Sequence, residues 1–178
     1  MTPTGEFSHK VAVNPWPENG INVELTATDD EREALRARFD LIDLPSLSAS
    51  VGIEQTSMGF KLAGKIEATT VQSCVVTLQP VSSSLSAPFK RRYHRQEQYE
   101  KLMAANDAAG LDEEPTDVDV LDGDEIDIGE AVAEELYLAL DSYPRSPDAD
   151  QAMEEIKART APETDGFSAG AFDKLRRH

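Results

Sequence analysis

The sequence predicts an α+β fold: an antiparallel, strongly curved or barrel-like β-meander with a few packed helices. Three observations predict it. Residues 46–87 are dominated by apolar–polar alternation of period two. Residues 127–140 instead repeat their aliphatic residues every four positions. Turn formers separate these stretches, and 178 residues at 39% apolar content suit one domain with a modest core.

The elements follow in order. After a short tail, residues 9–13 (HKVAV) and 21–27 (INVELTA) alternate as half-buried strands do, and Asn14 to Gly20 between them is dense in turn formers. Thr28 or Asp29 is placed to cap a helix running through Ala34 and Phe39, with Asp30 and Glu31 in its first turn. Arg36 and Arg38 fall toward its end, as the helix dipole favours. Leu35, Phe39 and Ile42 supply its buried stripe.

Residues 46–57 then set Leu47, Ala49, Val51 and Ile53 on one face, and Met58-Gly59 reads as a turn. Residues 60–72 resume the alternation through Phe60, Leu62, Ile66 and Ala68. Cys74 to Leu78 is a short apolar run that Pro80 ends. Residues 81–99 alternate through Val81, Ser83, Leu85 and Ala87 and finish in a basic stretch.

Residues 102–124 are rich in Ala, Asp, Glu, Gly and Pro and read as a mobile acidic loop. A short strand at 117–121 and a turn at 122–124 close that segment. A helix follows on Ile128, Val132, Leu136 and Leu140, ended by Pro144 and Pro147. A second helix is expected near 148–159 on Ala152 and Ile156, and a final short one within 167–178 on Phe172 and Leu175. The organisation expected is a tail and first strand (1–20), an α+β domain (21–145) and a C-terminal helical tail (146–178).

Charge narrows the function. The formal net charge is -17, from 34 acidic and 17 basic residues. A field of that sign repels phosphate backbones and favours a basic protein partner or plain solubility. One cysteine, Cys74, forms no intramolecular disulfide and leaves a Cys-rich zinc site without ligands. No charged, apolar leader and no membrane-spanning apolar stretch is present in the sequence, so a cytoplasmic protein is expected.

Chemistry is sparse. The three histidines, His9, His94 and His178, have no metal-ligand spacing, and neither HExxH nor GxSxG occurs. A Cys74–His94 nucleophile pair is the one enzyme reading, set against Cys74 as a packed core residue. Asp119, Asp122, Asp124 and Asp127 lack the ligand order of a calcium loop and read as an acidic approach to a helix. No catalytic residue, metal or cofactor is expected.

Two charged sets remain as binding candidates. Lys90, Arg91, Arg92 and Arg95 interleave with Phe89, Tyr93, His94 and Tyr99, a combination suited to RNA phosphates and bases. On a strand, 91, 93 and 95 share one face while 90, 92 and 94 share the other. The competing reading pairs this strand with the acidic segment 112–127 of the same chain. Glu130, Glu134 and Asp141 form the second set, an outward anionic stripe for a basic partner. The tail Lys174 to His178 is a weaker cationic candidate, read as solvated.

Two segments together resemble the YceD family, the bacterial large ribosomal RNA subunit accumulation proteins. Residues 60–96 resemble its strand, Cys-centred turn and second long strand, through Cys74-Val75-Val76-Thr77-Leu78 and Phe89. Residues 124–140, DEIDIGEAVAEELYLAL, followed by Pro144, resemble its acidic-Ile-Asp-Leu start of a helix. The end, Phe172 to Arg176, is similar too. The chain departs where family members often carry Cys-x-Arg-Cys: Val76 replaces the Arg and Thr77 the second Cys, and Asp141 stands where Pro is frequent. The resemblance implies support of large-subunit (23S) ribosomal RNA synthesis, processing or accumulation, without catalysis. Implied partners are a ribosomal protein or pre-ribosomal large subunit, and ribosomal RNA itself. The alternatives are a small acidic interaction or dimerisation module, and a Cys-dependent enzyme.

Overall fold

The computed structural model describes residues 7–18, 20–108, 118–121 and 123–160. Its centre is a meander of three long strands, β3 (Asp43–Thr56), β4 (Gly59–Ser73) and β5 (Pro80–Arg95). Two more join them: β2 (Ile21–Thr26) pairs with β3, and β6 (Val118–Leu121) pairs with β5. Separately, β1 (Lys10–Ala12) pairs with β7 (Glu125–Asp127). The helices are α1 (Asp29–Arg38), α2 (Gln96–Ala108), α3 (Ile128–Ala139) and α4 (Ala149–Thr160).

The α+β class stands, with two corrections to its details. Among the described residues the sheet does not close: its order is β2-β3-β4-β5-β6, with β2 and β6 at its edges. Nor is it purely antiparallel, because β5 and β6 run parallel. Parallel neighbours need a crossover, and α2 lies within the one between β5 and β6. The segment expected as a loop from 102 is therefore helical through Ala108, and 118–121 is strand; the residues between lie outside the described ones. The helix expected within 167–178 also lies outside them.

Alternation places the core. The register sets Leu47 against Ala68, Ala49 against Ile66 and Ile53 against Leu62, so each pair shares the buried face. Gly64 lies on that face beneath Phe89: a Cβ there would meet the ring at 2.6 Å. α1 and α3 cover the face with Leu35, Ile128, Val132 and Leu136, all 0% exposed. Phe7 and Val13 join the same core, so the first strand packs with the rest.

Local signals explain the helix starts. Thr28 and Glu31 form a reciprocal capping box, with Thr28 N–H donating to the Glu31 carboxylate at 2.8 Å. Asp127 caps α3 by accepting from Glu130 N–H at 3.1 Å. One stripe residue was misplaced: α1 ends at Arg38, so Ile42 lies beyond the helix at 46% exposure while Leu41 turns inward.

Candidate functional site

The register sorts the four β5 cations. Arg91 lies opposite Leu62 and shares the core face with Phe89 and Tyr93. There it donates to Glu134 on α3 and pairs with Asp119 on β6 at 3.0 Å, with Glu135 at 3.9 Å. Arg95 lies on that face too, 5.3 Å from the centre of the Phe60 ring and 3.9 Å from Asp124. The acidic segment thus neutralises part of the strand. Arg91 joins three elements.

Lys90 and Arg92 lie on the opposite face of the sheet. Arg92 sits across from Lys61 on β4, and both Lys90 and Arg92 are exposed. Lys61 was not singled out in the sequence, because only the β4–β5 register brings it to this place.

The acidic set divides as well. Glu130 accepts a two-pronged contact from Arg38 on α1, at 2.9 and 2.6 Å. Glu134 accepts from Arg91. Neither is an uncompensated charge on the outside of α3. Asp141 is exposed, and its carboxylate accepts from Tyr143 N–H at 2.9 Å.

A feature that charge reading missed is apolar. Tyr137 and Leu138 on α3 are 57% and 75% exposed. The Tyr137 ring lies 5.2 Å from Phe39 at the end of α1, and Arg38 stacks on Phe39 at 5.4 Å. These residues and Glu134 line a recess of ≈ 440 Å³. The clue was Tyr137-Leu138 between the buried turns of α3.

The Cys74–His94 pair is not assembled. Ser73 opposes Pro80 at one end of the β4–β5 ladder, while Gly59 opposes His94 at the other. Fourteen strand steps separate these ends, on the order of 40 Å. His94 is 8% exposed, its Nδ1 finds no partner among the described residues, and burial followed by the Arg92 charge lowers its pKa.

Cys74 instead anchors a turn. Its sulfur accepts from Val76 and Thr77 N–H at 3.4 Å each and from Ser146 N–H at 3.3 Å. The Thr77 and Ser146 hydroxyls bond each other at 3.1 Å. Thus the β4–β5 turn is tied to the chain leaving α3. Burial pushes the thiol up, but the Ser146 and Thr77 donors outweigh it and bring it to about 6. Because the folded value is depressed, the stability it lends is present above the unfolded value near ~8.5 and is lost as pH falls through about 6. Cys74→Ala should flatten the stability profile between those limits in urea titrations. A thiolate absorbance titrating at the ordinary value would contradict this.

Among the described residues no three His, Cys, Asp or Glu side chains gather as a metal ion needs, and no helix is long and apolar enough to cross a membrane. The arrangement defines an open-sheet α+β protein whose distinctive surfaces are an apolar helix flank and a cationic strand face. Comparison with known families narrows the class. The chain belongs to the YceD family: residues 62–169, more than half of it, match the family described as large ribosomal RNA subunit accumulation protein YceD. That description ties it to accumulation of the large ribosomal RNA subunit. No curated protein and no solved structure matches the chain.

Proposed function

We propose that this protein supports large-subunit ribosomal RNA accumulation by binding a component of the maturing subunit, without catalysing a reaction. The observation carrying the reading is the flank of α3. Tyr137 and Leu138 stand exposed beside Phe39, in a recess rimmed by Arg38 and Glu134. Exposed aromatic and aliphatic residues with a polar rim suit a protein interface. Asp141 beyond the helix, with the net charge of -17, favours a basic partner such as a ribosomal protein. Glu130 and Glu134 contribute through the Arg-bound geometry that holds α3 in place.

The test is a pull-down from lysate, fractionated by size and probed for ribosomal proteins and precursor ribosomal RNA. Tyr137→Ser/Leu138→Ser should retain the fold and lose the co-sedimenting ribosomal protein by roughly tenfold or more, as hot-spot residues do. Undiminished capture would remove this surface. Concentration-dependent mass in the purified chain, abolished by the same pair, would favour dimerisation instead. Turnover of a substrate by the purified chain would defeat the non-enzymatic reading.

A further inference from the structure

We propose that Lys61, Lys90 and Arg92 form a contact face for the phosphate backbone of RNA. The inference rests on the binding role proposed above and assigns that role a second surface, on the outer face of β4 and β5, which meets the first at Leu138.

Two adjacent strands bring the charges together. Lys61 and Arg92 are direct cross-strand partners, and Lys90 lies opposite Ala63, one step along the same face. Like charges placed directly opposite destabilise a sheet, so the pair is kept at a cost that an anion between them would offset. Among the described residues Lys61 has one loose partner, Glu54 at 3.9 Å. Among the described residues Lys90 and Arg92 have no ion-pair partner. This sets them apart from Arg91 on the same strand, which three carboxylates neutralise.

The three cations line a recess of ≈ 700 Å³ at the point where β6 joins β5, and its far wall, with Arg91, Glu135 and Leu138, reaches round the strand edge to α3. The acids in its wall, Asp119 and Glu135, both pair with Arg91, so the recess carries positive charge locally. Among the described residues the exposed aromatic rings are Tyr137 and Tyr143, neither of which lines this recess, and the chemistry is therefore phosphate contact without base reading. The chain's net charge of -17 does not forbid this. At physiological salt the screening length is about 8 Å, so distant carboxylates act weakly while a phosphate touching the face feels its cations fully.

The experiment measures binding of the purified full chain to a labelled single-stranded RNA of mixed sequence over a range of salt. The site variant is Lys61→Gln/Lys90→Gln/Arg92→Gln. A control with the same change in net charge is Lys101→Gln/Arg145→Gln/Lys157→Gln, cations that are exposed and paired elsewhere. Loss of roughly tenfold in affinity for the site variant, with the slope of log affinity against log salt shallower by about 2, supports the inference when the control keeps both. Equal losses in both variants would show bulk charge at work and overturn it. No RNA binding by the wild-type chain overturns it as well. Poly-glutamate captured in place of RNA, and lost in the site variant, overturns it in favour of an acidic protein. Depletion of the protein from cells tests the parent reading separately. If large-subunit RNA falls while the purified chain ignores RNA, only the present inference fails.

Discussion

Gly129→Ala should loosen the N-terminal segment and cost about 3 kcal/mol of stability. Gly129 lies buried in the first turn of α3, where a Cβ would strike the Phe7 carbonyl and approach His9 N to 2.7 Å. Both obstacles are backbone and cannot rotate aside. That same backbone is fastened to the helix start: His9 N–H donates to Asp127 at 2.9 Å, and Ile128 N–H donates to His9 O at 2.9 Å. The Asp127 carboxyl itself is drawn below its usual range. Burial opposes this, but the Ser8 hydroxyl and the amides of Glu130, His9 and Gly129 outweigh it.

Helix propensity points the other way, since alanine is better than glycine inside a helix by about 1 kcal/mol. The collision must exceed that gain, and it does because the whole β1–β7 ladder and the burial of Phe7 depend on the close approach. Urea unfolding should show a lower midpoint, and the Val11 amide should exchange faster. A raised midpoint would mean that residues 7–9 are not seated on α3.

The same contact shows what a linear reading misses. Core alternation in β3 and β4 and the four-residue repeat of α3 are local properties, and side chains such as Ile53, Ile66 and Val132 occupy the faces their spacing predicts. The two faces of β5 were also legible from alternation; Phe89 and Tyr93 mark which one is buried. By contrast, β7 is three residues long and exists because β1 comes back to it. α2 was hidden by its polarity. Its evidence was the spacing of half-buried Tyr99, Leu102, Met103 and Asn106 and the i,i+4 pair Glu97–Lys101 at 2.6 Å. Which cations are internally paired, and which remain outside, depends on register and on helices distant in sequence.

Arg91→Ala should destabilise the protein by about 3 kcal/mol, while Arg92→Ala on the next residue should stay within about 0.5 kcal/mol. The Arg91 side chain is 18% exposed and faces Glu134, Asp119 and Glu135 from two other elements. Burial alone would pull its pKa down, yet the Glu134 hydrogen bond and the surrounding charges hold it above its ordinary value. Removing it leaves three carboxylates facing one another with no cation between them, and breaking one side of a half-buried network costs more than the network contributes. Arg92 leaves only an exposed position and relieves its repulsion with Lys61. A double-mutant cycle with Glu134→Gln should return a coupling of about 1–3 kcal/mol for Arg91 and close to zero for Arg92. Chemical denaturation of the three single and two double variants provides the numbers. Equal sensitivity at 91 and 92 would mean that Arg91 does not join the sheet to α3, and the division of this strand into an internal and an external set of charges would be lost.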